Sequence, residues 1–147
     1  MKRYRASHMI RMEHLNHHGN LYAGQAIEWM VEMSFITVNC EYGNPQGLLY
    51  KNTHKFDFYK SVNPGNIVYY EGVIVRAGRT SLTVRVGMYN EVTGDLMAEG
   101  FTTFVTVNPE NNRPVAHGIV PDAPADDDEK GWRREAEGFF AKKVSTE

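Results

Sequence analysis

Residues 21–40, Leu21-Tyr22-Ala23-Gly24-Gln25-Ala26-Ile27-Glu28-Trp29-Met30-Val31-Glu32-Met33-Ser34-Phe35-Ile36-Thr37-Val38-Asn39-Cys40, contain no proline, and their one glycine, Gly24, stands near the start. The stretch is therefore free to form a single helix of about five turns. Its apolar residues are not confined to one stripe, and Glu28 and Glu32, four apart, are the clear polar pair. A helix of this kind is expected to be wrapped on most sides.

Outward from this segment, the chain turns at Gly43-Asn44-Pro45-Gln46-Gly47 and enters strand-like runs separated by turn residues. The runs are Leu48 to Tyr59, Ile67 to Ala77, Ser81 to Asn90 and Leu96 to Val107. The last three are joined by short turns at Gly78-Arg79 and Thr93-Gly94-Asp95, which requires antiparallel hairpins. Upstream, Arg3 to Met12 reads as a fifth strand and Glu13 to Asn20 as a loop. Five antiparallel strands with one long helix to cover give an α+β layer architecture, the sheet curled around the helix.

Beyond Asn108 the chain carries Pro109, Pro114, Pro121 and Pro124 and the acidic run Asp126-Asp127-Asp128-Glu129, so the sheet is expected to end there. Residues 1–108 are read as the domain and 109–147 as an extension. Within it, Glu129 to Lys143 sets Trp132, Ala136, Phe139 and Phe140 at helical spacing, which suits a short amphipathic helix packed on the body. A partly ordered tail is the alternative.

The 147 residues amount to one domain. A hydrophobic fraction of 41% with 23% charged and 12% aromatic residues is that of a globular chain with a real core. Sixteen Lys and Arg against 18 Asp and Glu leave a net charge of −2, which offers no broad attraction to nucleic acid or anionic lipid. The single cysteine, Cys40, excludes an intrachain disulfide and any paired-cysteine metal or redox motif. No signal-peptide h-region follows the basic start, and no uncharged apolar run reaches the ~20 residues of a membrane span. A cytoplasmic protein is expected.

The densest chemistry lies just before the helix, in His14-Leu15-Asn16-His17-His18-Gly19-Asn20-Leu21-Tyr22-Ala23-Gly24. An amide and small residues meet a helix N-terminus, whose free N–H groups and dipole can hold a carbonyl oxygen as it gains negative charge. Gly24 would let a substrate approach the backbone, although Gly19 and Gly24 can equally serve only turning and packing. His14, His17 and His18 with Glu13 could be drawn as a metal cluster, but loop spacing implies no closed geometry, and no metal is expected.

The string Asn16 to Gly24, followed by Glu28-Trp29-Met30, resembles the loop-and-helix signature of hotdog-fold acyl-CoA thioesterases. Further on, Phe58-Tyr59-Lys60 with Gly65-Asn66, the turn Gly78-Arg79-Thr80-Ser81 and the strand Phe101 to Val107 resemble that family's later segments, in the same order. The resemblance covers Arg3 to Val107 and implies a hotdog, a five-stranded antiparallel sheet wrapped around one long central helix. It also implies hydrolysis of acyl-CoA to free acid and CoA, a homodimer or trimer of dimers, and no cofactor.

The departures from the family are specific. Its helix carboxylate directly after Trp-Met is Val31 here, and a valine can neither activate water nor attack a thioester. In the branch resembling hydroxybenzoyl-CoA thioesterase, the acid stands three residues before the loop glycine, and that position is Asn16. At 100° per residue, Glu28 faces about 60° from Val31 and Glu32 about 100°. Both are candidates for the base, and both could be polar residues at a dimer contact. His17 or His18 is a reserve base at neutral pH. The expected catalytic set is Asn16, Gly24, Glu28, Glu32 and His17, with Tyr22 and Ala23 beside the thioester. Lys60, Arg79, Thr80 and Ser81 are expected to meet the CoA phosphates, for which arginine forks are suited. The alternative reading is a non-catalytic hotdog that binds acyl-CoA or an acyl carrier.

Overall fold

The computed structural model describes residues 1–141. Strand β1 (Arg3–Met9) is followed by helix α1 (Ala23–Tyr42), strands β2 (Leu48–Phe58), β3 (Ile67–Ala77), β4 (Ser81–Asn90) and β5 (Leu96–Thr106), and helix α2 (Asp127–Phe140). The strands form one sheet in the order β1-β3-β4-β5-β2, antiparallel throughout. The chain leaves one edge at β1, crosses the sheet as α1 and re-enters at the opposite edge as β2. This is the hotdog arrangement of a sheet around a helix.

Helix α1 runs two residues beyond the expected Cys40 and stops where Gly43 takes a left-handed conformation, φ 73°, with its N–H bonded to the Asn39 carbonyl at 2.7 Å. Its buried residues are Ala26, Met30, Met33, Ser34, Thr37 and Val38, a set confined to one side. The wrapping expected of it is thus one-sided within a single chain: Ile27, Glu28 and Glu32 stay exposed, because one sheet layer reaches only one face of a helix. The buried stripe packs on Tyr70, Ile74, Leu82, Val84, Val86, Met88, Ala98 and Phe104. Close approach depends on Gly72, where a Cβ would run into the Thr37 side chain.

Strand β1 ends at Met9 rather than Met12, since Met12–His14 tightens into a 3-10 turn. Helix α2 lies on the other face of the sheet. Asp126 caps it by accepting the Glu129 N–H at 2.8 Å, and its first turn carries Asp127, Asp128 and Glu129 at the positive end of the dipole. Ala136 is buried against Val73, Val75 and Phe101, with Trp132 and Phe139 beside it. Lys142 and Lys143, the end of the expected C-terminal helix, lie outside the described residues. Among the described residues no helix is long and apolar enough to cross a membrane.

Candidate functional site

The loop before α1 is built around Asn16. Its side-chain Oδ1 accepts the N–H groups of His18 (2.9 Å) and Asn20 (3.2 Å), and its own N–H donates to the Asn20 carbonyl at 2.7 Å. Gly19 closes the turn at φ 80°, a conformation that favours glycine. The Leu21 N–H then donates to the Val62 carbonyl at 2.8 Å, which ties the loop to the segment that follows β2. Between loop and segment opens a cavity of about 390 Å³ lined by Asn16, His18, Asn20, Leu21, Ala23, Phe58, Tyr59, Lys60 and Ser61.

At the start of α1 the Tyr22 carbonyl accepts the N–H groups of Gln25 (3.0 Å) and Ala26 (3.1 Å), so the helical ladder begins there. The N–H groups of Ala23 and Gly24 are the unused donors of the first turn. Tyr22 itself is 57% exposed and does not line the cavity. Its ring covers Gly24: a Cβ at that glycine would lie 2.9 Å from the ring carbon Cζ. The ring thus fills the side of Gly24 where a Cβ would stand, and Gly24 is not among the residues that line the cavity.

Asn16, Ala23 and Lys60 thus stand around one cavity. Lys60 is 56% exposed and pairs with Asp95 at 3.4 Å. His17 is exposed and packs its ring on His18 at 3.9 Å, and it is His18, held in the loop by Asn16, that lines the cavity. Glu28 is exposed and accepts the Gln25 amide at 3.3 Å, and exposed Glu32 stands near His8. Neither carboxylate is among the lining residues, nor is Val31, which packs against the α1 core.

Arg79, Thr80 and Ser81 lie at the far end of the sheet. The eleven residues of β3, which span roughly 35 Å at about 3.3 Å each, lead to this turn from the cavity end of the sheet. There the turn is fastened by the C-terminal arm: the His117 ring bonds the carbonyls of Gly78 and Ser81, the latter at 3.1 Å, and the His117 N–H donates to the Arg79 carbonyl at 3.3 Å.

Sequence reasoning missed Phe58 and Tyr59 as cavity residues. Strand alternation carries the signal, because adjacent residues at the end of β2 project to opposite faces and so flank an opening at the sheet's end. Phe58 packs with the α1 core, whereas the Tyr59 hydroxyl donates to Glu99 at 3.1 Å on the α2 side. Burial of the phenol, then the charge and hydrogen bond of Glu99, push the Tyr59 pKa above its usual value. A second, smaller cavity of about 310 Å³ lies on the other side of the loop, lined by Ser7, His8, Met9, Arg11, His14 and Trp29. His8 stacks on Trp29 there, with ring centres 4.2 Å apart, and burial lowers its pKa. Among the described residues no group of three or more His, Cys, Asp and Glu side chains is arranged to hold a metal ion.

Among solved structures, the chain is similar to an acyl-CoA hydrolase from Staphylococcus aureus determined in complex with butyryl coenzyme A, coenzyme A and coenzyme A disulfide. The two share 25% identity over 94% of this chain and 81% of that one, with a TM-score of 0.81. A hexameric acyl-CoA thioesterase in its apo form matches at 25% identity over 94% and 88% of the two chains, TM-score 0.80. An acyl-CoA hydrolase from Bacillus cereus matches at 26% identity over 92% and 82%, TM-score 0.75. No curated protein matches the chain. The family profile of the thioesterase superfamily matches residues 17–96, from the loop that closes the larger cavity through α1 to the start of β5, and on that match the chain belongs to the thioesterase superfamily.

Proposed function

We propose that the protein hydrolyses acyl-CoA thioesters to free acid and CoA, in an active site without the usual helix carboxylate. The observation that carries this is the cavity at the N-terminus of α1, where Asn16, Ala23 and Lys60 converge. In this reading the free N–H groups of Ala23 and Gly24 receive the thioester oxygen as charge develops on it. The Oδ1 of Asn16 is engaged by the loop, so its Nδ2 is the donor left for the substrate or the attacking water. His18 is the reserve base with access to the cavity, and a migrated acid would be Glu28 or Glu32. Similarity to acyl-CoA hydrolases at 25% and 26% identity supports the substrate class.

The assembly proposed is a homodimer, or a trimer of dimers like the hexameric relative. Strand β2 is an edge strand with Leu49 43% and Tyr50 52% exposed, an edge suited to pairing with a second copy. Two β2 strands paired antiparallel about a two-fold axis bring the Arg79-Thr80-Ser81 end of one chain towards the cavity end of its partner. That geometry is what would let Arg79 and Lys60 serve one CoA. The exposed thiol of Cys40, which a reducing compartment keeps free, supports a cytoplasmic setting.

A specific observation favours a second reading, a hotdog that binds acyl-CoA without turning it over: no carboxylate lines the cavity, and Val31 stands at the acid's position. Release of free thiol from a panel of acyl-CoAs separates the two. Turnover that is lost in Glu28→Gln, Glu32→Gln or His18→Gln supports the enzyme and names its base. Tight CoA binding without turnover in the parent, with turnover gained in Val31→Asp, supports the binder. A parent that neither binds nor hydrolyses acyl-CoA refutes both.

A further inference from the structure

The most heavily buried ion pair of the sheet is hydrogen-bonded to Tyr59, a residue that lines the larger cavity. Arg85, with its side chain 2% exposed, meets Glu99, 11% exposed, on the face of the sheet under α2. Arg85 Nε donates to Glu99 Oε2 at 2.8 Å, and Nη2 is ion-paired with the same oxygen at 2.7 Å. That leaves Oε1 to accept the Tyr59 hydroxyl at 3.1 Å. Arg85 is fixed in turn: its Nη1 donates to the Tyr89 hydroxyl at 2.7 Å, and its guanidinium lies 4.0 Å from the centre of the Trp132 ring of α2.

Tyr59 is otherwise an unlikely residue to be rigid. It follows the last residue of β2 and is 51% exposed, yet both ends of it are held. The N–H groups of Tyr59 and Lys60 donate to the Met97 carbonyl at 2.8 and 3.2 Å, and the hydroxyl is held by Glu99. A half-exposed residue of the cavity lining, held at its backbone and its hydroxyl before any ligand arrives, is a preorganised contact surface whose ordering cost has been met by folding.

We propose that Glu99, oriented by Arg85 under Trp132, is a positioning residue that holds the Tyr59 ring as a fixed wall of the cavity, against which the CoA portion of the ligand rests. The inference rests on the reading of that cavity as an acyl-CoA site. It gives α2 a part in binding although none of its residues lines the cavity.

The test measures CoA binding by titration calorimetry and acyl-CoA hydrolysis on the parent, Tyr59→Phe, Glu99→Gln and Glu99→Leu. Tyr59→Phe, at a half-exposed position, keeps the fold and loses only the anchor. It should weaken CoA binding about three- to tenfold and raise KM by a similar factor while kcat stays within about twofold. Glu99→Gln keeps a carbonyl acceptor for Tyr59 and should recover part of what Glu99→Leu loses. A purely structural pair would move unfolding without this split between KM and kcat. Folded Tyr59→Phe that binds CoA as tightly as a binding-competent parent overturns the proposal and leaves the functional reading standing. If the parent itself neither binds nor hydrolyses acyl-CoA, the functional reading fails, and with it the ligand wall. The holding is then read alone, by following the Tyr59 phenol with carbon-13 NMR. Its titration should move to lower pH in Glu99→Gln, and an unchanged titration overturns the positioning as well.

Discussion

Under α1 the sheet presents Tyr70, Ile74, Leu82, Val84, Val86, Met88 and Phe104, whereas under α2 it presents Arg85, Glu99, Thr83, Thr103 and His54 around a small apolar patch of Val73, Val75 and Phe101. Both faces are covered by a helix, but by different physics. The α1 face is held by apolar burial, which is non-directional and indifferent to pH. The α2 face is held by directed contacts: Arg85 to Glu99, His54 to Thr103 at 2.6 Å and on to Thr83 at 2.7 Å, His54 stacked on Phe139 at 4.8 Å, and Lys55 to Glu135 at 2.6 Å. One face secures the fold, and the other makes α2 sensitive to charge and pH.

The largest expected effect is on the apolar face. Phe104→Ala, at a side chain 2% exposed, should cost about 3–5 kcal/mol in urea unfolding, with the same loss at pH 5.5 and pH 8. A loss that varied strongly between those pH values would erase the contrast between the faces.

Next comes the buried pair. Arg85→Met leaves the Glu99 carboxylate without its cation and should cost about 3 kcal/mol, while Arg85→Met with Glu99→Met should recover most of it. If the double variant is no more stable than the single one, packing rather than charge dominates this face.

Smaller again is the pH response of His54. Burial, and then the charges of Lys51 and Arg76, lower its pKa below the ordinary 6.5. The unfolded chain therefore takes up the proton first, and stability is lost as pH falls below about 6.5 until the folded-state pKa is passed. The protection factors of the α2 amides, with the intrinsic pH dependence of exchange divided out, should fall over that window, and His54→Gln should remove that fall. Protection factors that are flat with pH in the parent would assign His54 no such role.

The smallest effect is at Lys55 and Glu135, each about one-third exposed. The hydrogen bond that the Lys55 ammonium donates to Glu135 raises the Lys55 pKa, but solvent screening limits the pair to about 0.2–1 kcal/mol. Lys55→Met should show a loss of that size at low salt that fades at high salt.

The bounds of β3 and β4 were legible in the sequence, because strand-like apolar runs closed off by turn residues at Asn66, Gly78 and after Asn90 leave a strand little freedom. The partner of Arg85 was not. An arginine between Val84 and Val86 does not reveal a carboxylate fourteen residues on, and it takes the β4–β5 register, Arg85 opposite Phe101 and Gly87 opposite Glu99, to bring them together. The loop likewise reads as chemistry in the sequence, yet the choice of His18 over His17 as a cavity residue depends on how Asn16 folds the turn.

By itself the sequence determined the long helix, the four strands after it with their antiparallel pairing, and the absence of a carboxylate at Val31, while leaving the C-terminal segment open between helix and tail, since periodicity, turn residues and residue identity are local properties of the chain. The tertiary structure alone decided that Arg79 stands at the other end of the sheet from Lys60, that Tyr22 covers Gly24, and that Glu99 grips Tyr59. Those facts depend on which strands become neighbours and in what register, and the energies that select a register are summed over the whole sheet and its two helices rather than written in any one segment.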